Sequence, residues 1–164
     1  MTASTKKDQV FSDESRIWIY SASRQLNAEE ILQIEKDLNI FAKEWTAHAQ
    51  ALLAKGWIED KRFLLLMVDE SQAGASGCSI DSSVAFLREL GKKYDLELFD
   101  RLTFYFKDAA GVLQPIHKEE LAHAYQKGVI TNDTLFANTL VSTYGDFKNN
   151  WWVPLRESWH RRFL

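Results

Sequence analysis

The one cysteine of the chain, Cys78, stands in a polar, glycine-punctuated stretch, Gly74-Ala-Ser-Gly-Cys-Ser-Ile-Asp-Ser-Ser83, between an apolar run, Phe63-Leu-Leu-Leu-Met-Val68, and a helix-patterned segment. The apolar run reads as a buried strand. The polar stretch therefore falls between a strand end and a helix start, where α/β proteins commonly place ligand chemistry. A thiol at a helix start has its thiolate stabilised by the helix dipole and by free N–H groups. Ser79, Asp81 and Ser82 stand close enough in sequence to orient a bound group. A thiol nucleophile also needs a base, and His48 is the candidate. The plain alternative is a packed, inert thiol, because free cysteine is among the most buried residue types. The phosphatase spacing fails: the position six residues after Cys78 is Val84, and the nearest arginine is Arg88.

The same loop can be read as an anion site. Exposed N–H groups at a helix start attract phosphate or carboxylate. Gly77, Ser79, Asp81 and Ser82 would then be ligand-binding residues, and Gly74 would allow close approach. Serines and an aspartate there are also what an ordinary helix cap looks like, and Asp81 repels an anion. A P-loop is absent, since Gly91-Lys92-Lys93 lacks the first glycine, and there is no Gly-x-Gly-x-x-Gly, so no nucleotide cofactor is expected. His48, His117, His123 and His160 contain no i, i+4 pair. No metal is expected; a carboxylate site built on Asp69, Asp81 and Asp100 is the weak remaining option. At the C-terminal end Trp151, Trp152, Pro154, Trp159 and Phe163 form either a groove for an apolar or proline-rich partner or a tail that closes the core. His160-Arg161-Arg162 then makes a solvated basic tip.

Composition bounds the rest. The 164 residues carry a net charge of −3, 46% hydrophobic and 13% aromatic residues. A chain of this length buries roughly 70% of its unfolded surface as one domain. The charge gives no long-range attraction for phosphate backbones, so general nucleic-acid binding is not expected. One cysteine makes no internal disulfide, and Met1-Thr-Ala-Ser-Thr-Lys-Lys-Asp8 has no apolar segment of the secretory kind. A cytoplasmic location is the expectation, without a membrane span, since Phe63–Val68 is far too short.

These residues must be held by a short series of elements. Residues 1–14 are polar and read as a loose tail, and 15–164 as a single domain. Arg16-Ile-Trp-Ile-Tyr20 has strand character. Asn27 with Glu30 has the layout of a capping box. Ile31, Ile34, Leu38, Phe41, Trp45, His48 and Leu52 follow helical spacing, with Gly56 as the end. Arg62–Asp69 is a strand covered on both faces, and 80–94 a helix. Residues 102–107 and 112–116 pair as a hairpin through Asp108-Ala-Ala-Gly111. A helix at 118–127 stopped by Gly128 and a weaker strand at 134–141 complete the order. The class is α/β or α+β: a mixed sheet with an N-terminal βαβ unit if the first two strands run parallel, a central hairpin, and about three helices.

The strings Arg16-Ile-Trp-Ile-Tyr20, Trp45-Thr-Ala-His48, Arg62-Phe63, Gly77-Cys-Ser-Ile-Asp-Ser-Ser83, Phe99-Asp-Arg101 and Ser158-Trp-His-Arg-Arg-Phe163 together resemble a family of small bacterial proteins of unknown function that often carry the label ABC transporter ATPase. The resemblance covers nearly everything after the tail. It implies a bacterial, cytosolic protein and brings no catalytic residues with it. Neither a Walker A loop nor a Leu-Ser-Gly-Gly-Gln signature is present, so ATP hydrolysis is not expected. The reading that follows is a non-catalytic domain that binds a protein or small-molecule ligand. The alternative is a cysteine-dependent enzyme of acyl or thiol chemistry, using Cys78 with His48.

Overall fold

The fold is a computed structural model that describes residues 10–164. Its first layer is built from β1 (Arg16–Ser21), α1 (Ala28–Glu44), the short strands β2 (Thr46–Ala47) and β3 (Gln50–Ala51), β4 (Leu53–Glu59) and β5 (Phe63–Asp69). The sheet order is β1-β5-β4, and both neighbours run antiparallel to β5. Every residue of β5 is buried. Alternation along the strand sends Leu64, Leu66 and Val68 into a core with Ile34, Leu38, Leu87 and Leu90, and Phe63, Leu65 and Met67 into a second core with Tyr105, Phe147 and Trp151. The expected cover on both faces is present. The expected parallel pairing is not: the two strands of the expected βαβ unit, β1 and β5, are direct neighbours but run antiparallel, because the unforeseen β4 returns the chain before β5, and the sheet is antiparallel throughout.

The long helix ends at Glu44, and Gly56 lies inside β4 rather than at a helix end. The chain turns at Trp45, whose ψ of 127° is extended. It then makes a tight hairpin with His48 and Ala49 both in left-handed backbone, φ 50° and 64°. A second turn of the same kind, with Asp60 at φ 51° and Lys61 at φ 58°, joins β4 to β5. Gly56 has a packing reason. A Cβ there would stand 2.8 Å from Leu38 Cβ, so glycine lets α1 lie directly on the strand. At that approach the side chains of α1 satisfy the open edge of β4. Asn39 Nδ2 donates to the Gly56 carbonyl at 2.8 Å, the Gly56 N–H donates to Asn39 Oδ1 at 3.1 Å, and the Ile58 N–H donates to Glu35 Oε1 at 3.1 Å. An edge strand is thereby closed to further pairing.

After β5 comes α2 (Gly77–Tyr94), which packs antiparallel to α1: Asp37 meets Lys93, Phe41 stacks on Phe86, and Trp45 bonds to Ser79. The second sheet holds β6 (Thr103–Lys107), β7 (Leu113–His117), β8 (Leu135–Ala137) and β9 (Trp152–Pro154), in the order β7-β6-β8-β9, again antiparallel. The expected hairpin is β6–β7, its turn held by Asp108 Oδ1, which accepts the N–H groups of Ala110 and Val112. The helices α3 (Leu121–Gln126) and α4 (Tyr144–Asn150) complete an α+β domain. Phe104, Phe106, Ile116, Leu121, Ile130, Phe136 and Leu155 form a third core. Of the expected loose tail, residues 1–9 lie outside the described residues. Residues 10–14 are placed, with Phe11 buried and Asp13 paired to Lys148 at 2.5 Å.

Replacing Gly56 with Ala tests this close approach. The added methyl must push α1 off β4, so urea denaturation is expected to show a loss of about 1–3 kcal/mol with an unchanged slope. An unaltered midpoint would mean that the helix and strand are free to separate.

Candidate functional site

The start of α2 is built from its own serines. Ser76 is the N-cap: its Oγ accepts the Ser79 N–H at 3.2 Å, while Ser79 Oγ accepts the Ser76 N–H at 2.6 Å, a reciprocal capping box. Ser79 Oγ also donates to the Ser76 carbonyl, Ser82 Oγ to the Ser79 carbonyl, and Ser83 Oγ to the Ile80 carbonyl. Ser79 is buried. Expected as ligand-orienting groups, Ser79 and Ser82 instead have their hydroxyl protons committed to the helix backbone. The loop before the helix is likewise occupied by the chain's own carboxylates. Glu70 Oε2 accepts the Ala75 N–H at 3.0 Å, and Asp69 Oδ1 accepts the Ser71 N–H at 3.0 Å. Hydrogen bonds from Ser71 hold the Asp69 carboxyl below its ordinary value. Gly77 and Asp81 are exposed. The arrangement is a helix start capped by its own serines.

Cys78 is exposed, not packed. His48 is exposed as well, at the tip of the β2–β3 hairpin rather than on a helix. The helical spacing of Trp45, His48 and Leu52 continues past the real end of α1 by coincidence of interval. That hairpin is tied to α2 by one buried bond, Trp45 Nε1 to the Ser79 carbonyl at 2.8 Å. Among the described residues no hydrogen bond joins the Cys78 thiol to His48, so the tether brings the two segments together without forming a thiol–imidazole pair. Asp69, Asp81 and Asp100 do not form a cluster able to hold a metal ion, and no such group of three occurs among the described residues.

Of the two readings of the C-terminal tryptophans, a partner groove or a tail that closes the core, the packing favours the second. Trp151 is buried, stands edge-on to Phe63 at 4.9 Å, and donates its indole N–H to Asp60 Oδ2 at 2.9 Å. Trp152 lies under the Lys107 ammonium, and Trp159 packs on Phe104 while donating to Asn138 Oδ1 at 3.1 Å. His160, read as part of a solvated tip, is buried between Phe104, Phe136 and Trp159. Ser158 Oγ lies 2.5 Å from His160 Nδ1 and accepts the His160 N–H. By distance this is a serine–imidazole pair. By environment it is structural: both residues are buried, and desolvation pushes the imidazole down to about 3, far too weak a base for neutral pH.

A surface that no motif announced runs between α1 and α2. Phe41 and Phe86, stacked with centroids 4.4 Å apart, and Leu90 form its floor, and the half-exposed Ile40 its bank. Its volume is ≈ 320 Å³. Asp37, Glu44 and Glu89 stand around it against one cation, Lys93. Lys93 Nζ is already bonded to Asp37 Oδ2 at 2.9 Å, and Tyr94 Oη donates to the same oxygen at 2.7 Å. Burial raises the Asp37 carboxyl, but the bonds from Lys93 and Tyr94 outweigh it and leave the group below its ordinary value. Glu44 has no ion-pair partner among the described residues, and Glu89 has only the exposed Lys92. The groove is therefore apolar at its base and net negative at its rim.

Comparison with family models, with curated proteins and with solved structures finds no match to this chain. No helix among the described residues is long and apolar enough to cross a membrane.

The buried imidazole gives the fold a pH signature. The folded value of about 3 lies below the ordinary 6.5, so between these values the unfolded chain binds a proton that the folded chain refuses. The contribution of His160 is complete above pH 6.5 and falls away as pH drops toward 3. Chemical denaturation from pH 8 to 4 is expected to show His160→Gln with a shallower decline through that window than the parent chain. Parallel declines would place the imidazole in contact with water.

Proposed function

We propose that this chain is a non-catalytic binding domain whose working surface is the groove between α1 and α2, and that it takes a cationic, amphipathic segment of a partner protein. The observation that carries the proposal is the combination of an aromatic floor with a rim that holds three carboxylates against one lysine, Glu44 having no ion-pair partner among the described residues. Apolar floors reward the burial of an apolar face, and rim carboxylates select Lys or Arg beside it and speed encounter. From Asp37 to Glu44 the groove follows eight residues of α1, seven rises of 1.5 Å or about 10 Å, which matches two turns of a docked helix. An exposed free thiol suits a reducing compartment, which supports a cytoplasmic setting for that encounter.

A cysteine-dependent enzyme is the second reading, and the exposure of Cys78 at the start of α2 is the observation in its favour. Against it stand the committed serines and the absence, among the described residues, of a bonded base. The two readings separate in the alkylation rate of Cys78, which the binding reading expects to be the same in the parent chain and in His48→Ala. A several-fold slowing in the variant would move the assignment to thiol chemistry.

The binding reading is tested with a labelled amphipathic helical peptide carrying Lys and Leu, alongside a Glu-for-Lys counterpart. The basic peptide is expected to bind, to weaken with added salt, and to lose about tenfold or more in affinity when Glu44 and Glu89 are both changed to Lys or when Ile40 is changed to Asp. Binding that ignores those three positions, or no binding of the basic peptide, would refute it.

A further inference from the structure

A separate recess lies between the end of β1 in the first sheet and the start of β6 in the second. It is enclosed by the end of β1, the segment leading into β6, the turn after β8, and Trp159, with a volume of ≈ 160 Å³. That equals about five water molecules' share of liquid volume, the scale of a small metabolite and far below a peptide. Its walls are of two kinds. Ile19, Leu98, Phe104 and Trp159 are apolar, whereas Ser21, Thr139, Asp100 and Arg101 bring polar groups to the same space.

The polar groups differ in what they are already doing. Among the described residues the Arg101 guanidinium and the hydroxyls of Ser21 and Thr139 make no hydrogen bond to the protein. Asp100 is fixed in place: Oδ1 accepts the Leu102 N–H at 2.7 Å and Oδ2 accepts the Thr103 hydroxyl at 2.7 Å. Those bonds, the Leu102 N–H first and then Thr103, hold its carboxyl below its ordinary value. Each oxygen retains a lone pair that neither bond uses. A guanidinium and a carboxylate held by its own turn thus both line one small, half-apolar hollow. An anion alone would meet Asp100, and a cation alone would meet Arg101. A molecule with both charges matches both.

We infer that this recess binds a small zwitterion of the free α-amino acid class, its carboxylate on Arg101, its ammonium on Asp100, and an aliphatic side chain against Trp159 and Leu98. Ser21 and Thr139 supply hydroxyls for the remaining carboxylate lone pairs. The pairing is the usual bidentate match of guanidinium to carboxylate, with the second charge setting orientation. The site is distinct from the α1–α2 groove and does not depend on what that groove binds.

The test uses calorimetry and thermal melting of the full chain with free leucine, valine and glycine, and with two derivatives of leucine: N-acetyl-leucine, which lacks the ammonium, and leucinamide, which lacks the carboxylate. Leucine or valine is expected to bind and to raise the melting temperature, and both derivatives to bind about ten- to a hundredfold more weakly. Arg101→Gln, at an exposed residue with no bonded partner, is expected to abolish the response to the amino acid without changing the melting temperature of the free protein. Asp100→Asn keeps one acceptor oxygen for the Leu102 N–H, gives up acceptance of the Thr103 hydroxyl, and is expected to weaken binding to the level of N-acetyl-leucine. No response to any amino acid at about 10 mM, a concentration that would reveal even millimolar affinity, would overturn the proposal. So would an equal response in Arg101→Gln. Equal binding of N-acetyl-leucine would replace the zwitterion with a simple carboxylate and refute the pairing on Asp100.

Discussion

The burial of β5 on both faces is the constraint from which the rest of the structure follows. A strand with Leu64, Leu66 and Val68 on one side and Phe63, Leu65 and Met67 on the other needs two apolar layers to cover it. One is supplied by α1 and α2, the other by the second sheet together with α4 and Trp151. Because β4 follows α1 and returns through a two-residue left-handed turn, β5 lies between β1 and β4 and all pairing is antiparallel. The flank of β4 would then be open. Asn39 and Glu35 close it from α1, which works only because Gly56 lets the helix come within contact of the strand.

The same constraint ties the two halves of the chain together through polar contacts at the edges of the cores. Trp151 donates to Asp60 in the β4–β5 turn. Arg62, immediately before β5, donates Nε to the Ala22 carbonyl at 3.1 Å and Nη2 to the Ser23 carbonyl at 3.0 Å, and its guanidinium lies over the Tyr105 ring. Such bonds cost little when both partners are held by packing that already exists, and they fix the register between layers.

Elements with one dominant local signal were legible in the sequence. The continuous apolar run of β5, the Asn27–Glu30 capping box and the Asp108–Gly111 turn each read correctly because the cause lies within a few residues. The region 45–59 did not. Trp45, His48 and Leu52 keep a helical interval by accident, and nothing local reveals that the Trp45 indole is fixed to the Ser79 carbonyl thirty-four residues away. α4 and β9 were hidden inside an aromatic stretch whose residues serve cores on different layers. For the candidate site the limit is the same. The polar loop at 74–83 drew attention because its chemistry is visible in sequence, yet its hydroxyls are largely spent on the helix cap. The α1–α2 groove and the recess at Arg101 arise from residues far apart in the chain, and only the packing of helix on helix and sheet on sheet assembles them.

We propose that the face formed by α1 and α2, rather than the cysteine-bearing loop, binds a partner. Backbone amide chemical shifts of the full chain, followed by nuclear magnetic resonance while a basic amphipathic peptide is added, test it most directly. The account predicts that shifts concentrate at Ile40, Phe41, Glu44, Phe86 and Glu89 and leave residues 71–79 unmoved. Shifts confined to the segment around Cys78 and His48, with the helix face silent, would contradict it.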